Sequence, residues 1–236
     1  MLDPSGRVIM ISGANRGIGL AIARRLGRAG YTLSLGARDK ASLTAALGAE
    51  TTLRGHFTYD AADRDTHRAW VADTLLRWGR IDGLVNNAGM GSTFTIEAGE
   101  EEELDRIWTV NCKGPLFLTR ECLPHLRRSG TGRIVNVSSL SGKRVRNENV
   151  AYNMTKHALM ALSHGTRRIG WADGIRVTTL CPSFVRTDLT ADVSAIAPEQ
   201  MIDPDDLAEL VATVLALPNT AAVAELLVNC RLEDRY

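Results

Sequence analysis

Short apolar runs alternate along the chain with longer segments of helical spacing, and this alternation constrains the fold more than any other feature. Seven runs predict strands, at residues 8–11, 32–35, 56–59, 83–85, 133–137, 176–180 and 225–228. Several of them are apolar at nearly every position, as expected for strands buried on both faces of a parallel sheet. The pattern therefore predicts a sheet whose parallel strands are joined by helices.

The intervening segments repeat apolar residues every three or four positions. In the first segment Ile18, Ile22 and Leu26 follow this spacing, and Gly30 marks its end. The other helices are predicted at 40–47, 64–78, 101–128, 151–170 and 204–217. Repeated strand–helix–strand units need right-handed crossovers, which put helices on both faces of one sheet. We predict an α/β protein with a doubly wound, seven-stranded parallel sheet.

Length and charge exclude several other classes of protein. The 236 residues contain no Pro- or Ser-rich linker, so one domain over residues 1–236 is expected. Lys and Arg total 28 against 27 acidic residues without a polybasic block, so neither nucleic acid nor an anionic membrane is an expected partner. The longest uncharged stretch, 210–224, is interrupted by Pro218 and is shorter than the about 20 residues of a membrane span.

Cysteine and histidine spacing points away from metals and disulfides. The cysteines at 112, 122, 181 and 230 form no CxxC pair, and the five histidines show no ligand pattern. The first apolar run, 8–11, is too short for a signal peptide. We therefore expect no metal site, and reduced thiols in a cytoplasmic protein.

The first predicted strand runs into a glycine-rich turn at residues 12–19, where the first helix begins. Glycines at 13, 17 and 19 permit a tight turn, close approach to a pyrophosphate and packing of helix on strand. The helix N-terminus adds unpaired N–H groups and the positive end of its dipole. Any tight strand–helix connection favours glycine. The turn predicts a nucleotide site because its three glycines lie between the first strand and the first helix, as in a Rossmann-like fold.

The end of the second strand indicates which nucleotide binds. NAD-preferring sites usually carry an Asp or Glu there, for the ribose 2′-hydroxyl. Here Ala37 occupies about that position and Arg38 follows. A guanidinium binds a 2′-phosphate well, and Arg16 adds a second positive charge within the turn. The sequence thus favours NADP(H), with NAD(H) as the weaker choice; solvated surface arginines are the alternative.

Polar residues cluster after the later strands and on the next helix. Tyr152 and Lys156 are four residues apart, so both lie on one helix face. The lysine ammonium stabilises a phenolate, although a tyrosine packed on a lysine stem is the simpler reading of this pair alone. Strand five ends in Ser138 and Ser139, and strand four is followed by Asn87-Ala88-Gly89 at the same sheet edge.

Together these motifs resemble those of the short-chain dehydrogenase/reductase family, NADP(H)-preferring type, over residues 7 to about 188. The resemblance implies that Tyr152 is the general acid in carbonyl reduction and the base in alcohol oxidation. It implies that Lys156 binds the nicotinamide ribose and supports the tyrosine. Ser139 is expected to hydrogen-bond the substrate oxygen, while Ser138 more plausibly lines the cofactor.

The resemblance also implies cofactor contacts along the whole edge of the sheet. They are Gly13, Asn15, Arg16, Gly17, Ile18 and Gly19 in the turn, Arg38, Asp60 and Ala61 at the adenine, Asn87, Ala88 and Gly89 at the adenosine ribose, Tyr152 and Lys156 at the nicotinamide ribose, and Pro182, Val185 and Thr187 at the nicotinamide. One departure is visible: the family often has Pro-Gly where this chain has Pro182-Ser183. Serine fits that loop unless it requires a positive φ.

Asn111 matches the family asparagine whose backbone carbonyl holds a water in a proton relay to the lysine. Pro115 lies four residues further, has no N–H and cannot pair with that carbonyl in a helix. The carbonyl is therefore expected to be free for water. A proline kink that merely packs the long helix is the alternative.

The activity implied by the resemblance is hydride transfer between NADP(H) and a small carbonyl or alcohol substrate, with Tyr152 as acid or base. A catalytically silent nucleotide-sensing or scaffold protein is one alternative. A lyase or epimerase on the same fold is another, because fold does not fix function.

The substrate lid is expected within residues 189–201, which are mostly small. The acidic run 100–103 is expected to begin a helix, with a role at the pocket rim as the alternative. The resemblance implies a homo-oligomer, a dimer or tetramer, with the helices of Asn111 and Tyr152 at the contacts. An apolar stripe serves either that interface or the sheet: Leu116, Leu118, Cys122, Leu123 and Leu126.

Overall fold

The computed structural model describes residues 1–233 and folds them around one sheet. The strands are β1 (Val8–Ser12), β2 (Thr32–Ala37), β3 (Arg54–Thr58), β4 (Gly83–Asn86), β5 (Arg133–Val137), β6 (Arg176–Pro182) and β7 (Glu225–Val228). The α-helices are α1 (Gly17–Arg28), α2 (Lys40–Leu47), α3 (Arg64–Trp78), α4 (Glu101–Trp108), α5 (Gly114–Ser129), α6 (Val150–Gly170) and α7 (Pro204–Ala216). Each strand lies within a few residues of its predicted position.

All seven strands pair in parallel, in the order β3-β2-β1-β4-β5-β6-β7. The order reverses between β1 and β4, and open α/β sheets bind ligands at the carboxyl ends of the strands at such a switch point. The predicted fold class, a single-domain doubly wound sheet with helices on both faces, is confirmed.

The two faces of the sheet are covered by separate apolar layers. On one face Ile22 of α1 and Val211 of α7 pack with buried residues of β1 and β2. On the other, Trp70 of α3 and Leu118 of α5 pack with β1 and β4. The Trp70 indole lies so close to Gly36 that a Cβ there would be 2.7 Å from its ring. Full burial of such side chains is the main stabilising contribution to this fold.

The helix predicted at 101–128 is wrong as a continuous element. A π-helical turn, Thr109–Lys113, separates α4 from α5. The N–H of Gly114 donates to the carbonyl of Thr109, five residues back, and Pro115 then supplies no N–H at all. The sequence signal for this break was Pro115, because a proline removes one hydrogen bond from the α-helical series.

The apolar stripe of α5 divides between the core and the surface. Leu118, Cys122 and Leu126 are fully buried against the sheet, whereas Leu116 is 45% exposed. Most of the stripe therefore serves the sheet. The acidic run lies at the N-terminus of α4, with three glutamates in its first turn, where the helix dipole stabilises negative charge.

Three observations concern membrane spans, metal ligands and cysteines within residues 1–233. No helix in that range has the length and apolarity to cross a membrane. No group of His, Cys, Asp or Glu side chains there is arranged to hold a metal ion. All four cysteines are free.

Candidate active site

The glycine turn leaves the N-terminus of α1 open. Gly13 adopts φ +66°, a conformation that L-residues avoid, and a Cβ on Gly19 would lie 2.3 Å from the Gly13 carbonyl oxygen. No side chain caps α1 and no acidic residue lies in its first turn, whereas Asp or Asn side chains cap α2, α3, α6 and α7. The first-turn N–H groups, including those of Ile18 and Gly19, are thus available to an anion. This end fits a pyrophosphate.

Asn87 fastens the end of β4 to this turn. Its side-chain amide donates to the carbonyls of Ser12 (2.9 Å) and Gly13 (3.1 Å). The Ser12 hydroxyl accepts from the backbone N–H groups of Asn87 and Ala88, each at 3.0 Å. Sequence reasoning assigned Asn87 to the adenosine ribose and missed Ser12. In the structure the polar groups of both residues hold the switch point together.

The two arginines of the expected 2′-phosphate site differ in their surroundings. Ala37 is buried at the end of β2, and Arg38 is exposed and makes no hydrogen bond or ion pair within residues 1–233. Arg16 instead pairs with Asp188 at 3.0 Å, with both side chains largely exposed. Such a surface pair contributes about 1 kcal/mol or less, so it leaves Arg16 mobile. Asn15, beside it, is half-buried.

Asp60 and Ala61 lie just beyond β3, facing the start of α5. The Asp60 carboxylate accepts the N–H of Ala62 at 2.9 Å, which closes a local turn. Ala61 is buried against Gly114, where an added Cβ would come within 2.8 Å of the Ala61 Cβ. The loop of Asp60 and Ala61 therefore packs against the start of α5.

Tyr152 and Lys156 lie one turn apart near the start of α6, as their spacing predicts. The ammonium nitrogen of Lys156 is 5.4 Å from the centroid of the Tyr152 ring. Lys156 is only 7% exposed, and its ammonium donates to the Val137 carbonyl at 3.0 Å. A buried ammonium needs such partners, and this one fixes the lysine at the end of β5.

The two serines after β5 have different surroundings. Ser138 was expected to line the cofactor; it is buried and its hydroxyl donates to the Lys156 carbonyl at 3.1 Å. This bond satisfies the buried hydroxyl, and the cofactor contact of Ser138 stays a prediction. Ser139 is half-buried, and its oxygen accepts the Ser141 N–H at 3.1 Å. Its hydroxyl oxygen is 3.5 Å from the Pro182 carbonyl oxygen, a long contact that a ligand oxygen readily replaces.

Asn111 lies in the π-helical turn and is 2% exposed. Its side chain accepts the Met90 N–H and donates to the Met90 carbonyl, and it also donates to the Thr155 hydroxyl at 3.2 Å. A Cβ on Gly89 would lie 3.3 Å from the Asn111 Oδ1 and 3.9 Å from the Lys156 Nζ. Sequence reasoning assigned a role only to the backbone carbonyl of Asn111 and missed its side chain.

Pro182 ends β6, and residues 183–187 follow it and close against the glycine turn. The N–H of Ser183 donates to the Val228 carbonyl at 2.8 Å, and no residue other than glycine has a positive φ within the described chain. Serine therefore fits where the family often has glycine. Val185 is buried and bridges to Ile202. The Thr187 methyl group would be 3.2 Å from a Cβ on Gly17.

Asn149 organises the entrance to α6 and was missed from the sequence. Its side-chain oxygen accepts the Tyr152 N–H at 3.1 Å, and its amide donates to the Ser92 carbonyl. The Ser92 hydroxyl donates in turn to the Glu103 carboxylate at 2.7 Å. An Asn directly before the first helical residue is an N-cap signal, so the cap itself could be predicted from the sequence.

A thiol also lies beside the lysine. The Cys112 sulfur is 3.6 Å from the Thr155 carbonyl. Burial raises the pKa of the Cys112 thiol to about 11, although the positive charge of Lys156 lowers it. The thiol is therefore neutral near pH 7 and adds no negative charge to this part of the site.

The expected site residues thus lie along one edge of the sheet. The comparisons with known proteins identify the family. The short chain dehydrogenase family model matches residues 7–197, and the chain belongs to that family. An agropine synthesis reductase of Rhizobium rhizogenes is 44% identical over 228 residues, which cover 96% of this chain and 53% of that protein. The chain therefore spans about half the length of that relative.

Two solved structures resemble the fold along nearly its whole length. An alcohol dehydrogenase from the archaeon Thermococcus sibiricus, complexed with 5-hydroxy-NADP, is 31% identical with a TM-score of 0.85, covering 94% of this chain and 95% of that one. A 3-ketoacyl-(acyl-carrier-protein) reductase from Brucella melitensis, complexed with NADH, is 30% identical with a TM-score of 0.87, covering 96% and 98%.

Proposed function

We propose that the protein is an oxidoreductase that transfers a hydride between NADP(H) and a small carbonyl or alcohol compound. The observation that carries the proposal is that the Lys156 ammonium lies 5.4 Å from the Tyr152 ring centroid and donates to Val137, two residues before Ser139, while the Asn111 side chain donates to Thr155 of the same helix. Val137 ends β5 at the carboxyl edge of the sheet, where the N-terminus of α1 is uncapped. Family membership supports it, as do the names of the relatives, which are reductases and a dehydrogenase.

In carbonyl reduction the Tyr152 phenol donates its proton to the substrate oxygen, and in alcohol oxidation the phenolate accepts it. The Ser139 hydroxyl donates a hydrogen bond to the same oxygen and stabilises its developing negative charge. Lys156, held by Val137, stabilises the phenolate and binds the nicotinamide ribose. NADPH, when bound, supplies the hydride.

The cofactor-holding residues extend from the glycine turn to the loop after β6. The turn binds the pyrophosphate, Asp60 and Ala61 flank the adenine, and Val185 and Thr187 flank the nicotinamide. The exposed Arg38 carries the preference for NADP(H), because its side chain has no partner within residues 1–233 and because Ala37, not an acidic residue, ends β2. The solved relatives bind either an NADP derivative or NADH, so NAD(H) is the competing cofactor.

Residues 189–201 form the substrate lid in this proposal. They carry two short 3₁₀ turns, and the Leu189 side chain faces Gly91 across the site. Leu189 is 58% exposed, which leaves the cleft open for a modest carbonyl compound. We also propose a cytoplasmic homodimer or homotetramer with α5 and α6 at the contacts.

The proposal is tested by following NADPH oxidation at 340 nm against a panel of aldehydes, ketones and quinones, and repeating it with NADH. Turnover with a preference for NADPH is the expected result. Tight NADPH binding without turnover on any panel member contradicts the oxidoreductase assignment for these substrates and favours a nucleotide sensor. Product formation with no net change in cofactor absorbance would instead indicate a lyase or epimerase.

A further inference from the structure

The final residues that the structure describes, 230–233, lead from the end of β7 past Ser183 to Arg144. We call them the strap. They follow Val228, whose carbonyl already accepts the Ser183 N–H at 2.8 Å. The Cys230 thiol lies 3.4 Å from the Ser183 hydroxyl, and the Arg231 guanidinium lies 5.7 Å from the centroid of the Phe184 ring. The strap therefore begins against the loop expected to flank the nicotinamide.

Its other end reaches a second loop, residues 140–149, which joins Ser139 to the helix of Tyr152. The Glu233 carboxylate accepts two hydrogen bonds from the Arg144 guanidinium, at 2.7 and 2.5 Å. Arg146 is 3.8 Å from the same carboxylate. The side chain of Glu233 is 3% exposed and that of Arg144 is 11% exposed. This ion pair is far more buried than the Arg16–Asp188 pair described above.

The Arg144–Glu233 pair holds a loop that lies between two expected catalytic residues, Ser139 and Tyr152. The loop has few backbone hydrogen bonds of its own; the N–H groups of Lys143 and Arg144 both donate to the Leu140 carbonyl at its start. A two-bond guanidinium–carboxylate contact fixes both the distance and the plane of the groups it joins. Because the Arg144–Glu233 pair is buried and screened little by salt, it orients the loop more firmly than an exposed pair does.

We propose that Glu233 is a positioning residue: through Arg144 it holds the 140–149 loop at the orientation that the carbonyl substrate requires. The strap thereby joins the nicotinamide loop to the loop between Ser139 and Tyr152. In this proposal Glu233 acts through Arg144 and not on the reacting groups, so its loss is expected to change substrate binding and leave the proton-transfer step intact. This inference rests on the proposed oxidoreductase function.

The test compares Glu233→Gln with the unaltered protein, both saturated with NADPH. Hydrogen exchange measured by mass spectrometry is expected to speed up in residues 140–149 and to stay unchanged in β1 and β4. The KM for the best carbonyl substrate is expected to rise about tenfold, since small errors in position weaken substrate binding. The kcat value and the Kd for NADPH are expected to stay within about twofold.

Three further variants separate positioning from a general loss of stability. Arg144→Glu places two carboxylates together and is expected to raise KM further, and adding Glu233→Arg to it restores the pair and most of the affinity. Glu50→Gln is the matched control: Glu50 pairs with Arg77 at the β3 side of the molecule, so neither exchange in 140–149 nor KM changes.

Three results overturn the inference. They are unchanged exchange in residues 140–149 of Glu233→Gln, faster exchange with an unchanged KM, and no recovery in the charge-swapped double variant. If the unaltered protein reduces no carbonyl compound, the proposed function fails on its own. Exchange in Glu233→Gln and in the double variant then decides whether the strap holds the loop.

Discussion

The side-chain amide of Asn111 pairs with both the N–H and the carbonyl of Met90, at 2.9 Å in each direction. These two hydrogen bonds join the π-helical turn to the loop after β4. A third hydrogen bond, to the Thr155 hydroxyl, joins Asn111 to the helix of Tyr152 and Lys156. The side chain is fixed by these three bonds and buried, so any part that Asn111 plays in proton relay falls to its backbone carbonyl.

Pro115→Ala is expected to lower turnover by several-fold. The alanine N–H restores a donor to the Asn111 carbonyl four residues earlier, which favours α-helical winding and takes that carbonyl from water. The measurement is kcat together with the Kd for NADPH. Pro124→Ala is the control, because Pro124 lies inside the same helix, is exposed and is remote from the π-helical turn. Unaltered turnover in Pro115→Ala means that the proline only shapes the helix.

Tyr152→Phe is expected to reduce kcat by about 10²- to 10⁴-fold, because it removes the proton donor and leaves the ring in place. The Kd for NADPH, from fluorescence titration, is expected to change less than about threefold. Tyr31→Phe is the control: its buried hydroxyl has no partner in the described chain, so its removal leaves turnover unchanged. Retained turnover in Tyr152→Phe would refute the role of the phenol.

Arg38→Asp is expected to lower the ratio of kcat/KM for NADPH over NADH by about 10- to 100-fold. Hydrogen bonds to charged groups contribute about 1.5–3 kcal/mol, and the introduced carboxylate also repels a 2′-phosphate. The ratio is measured with one carbonyl substrate at saturation. Arg68→Asp, an exposed change on α3, leaves the ratio unaltered. An unchanged ratio in Arg38→Asp removes this residue from the NADP(H) assignment.

Asp82→Asn is expected to lower the free energy of unfolding by about 3 kcal/mol at pH 7, since it breaks a buried charged network. The Asp82 carboxylate is fully buried, pairs with Arg80 through two hydrogen bonds and accepts from Ser129 and from the Val8 N–H. Urea unfolding monitored by circular dichroism gives the difference. A change below about 1 kcal/mol would contradict this account.

The same residue predicts how stability depends on pH. Burial alone raises the pKa of Asp82, but the bonds from Arg80, Ser129 and the Val8 N–H outweigh it and hold the pKa below its usual value. A depressed folded-state pKa stabilises the fold above the unfolded pKa near 4, and this stabilisation is lost as pH falls through the lower folded value. The stability gap between the unaltered protein and Asp82→Asn is therefore expected to narrow below about pH 4.

The strand pattern, the glycine turn and the spacing of Tyr152 and Lys156 could be predicted because they are local. A buried parallel strand needs a continuous apolar run, and an i, i+4 pair shares a helix face wherever the helix packs. The break after Trp108 was harder to predict, because a π-helical turn of five residues is too short to change the apolar spacing visibly, and Pro115 is its main sequence signal.

The sequence by itself determined the order of strands and helices and which residues reach the carboxyl edge of the sheet. Only the tertiary structure decided their partners: Asn111 with Met90, Ser138 with the Lys156 carbonyl, Arg16 with Asp188, and Glu233 with Arg144. Ser138 and Lys156 are 18 residues apart and Met90 and Asn111 are 21 apart. The other two pairs are separated by more of the chain, at 172 and 89 residues. Hydrophobic periodicity fixes which face of an element is buried, whereas a polar contact depends on how separate elements pack to within hydrogen-bond distance.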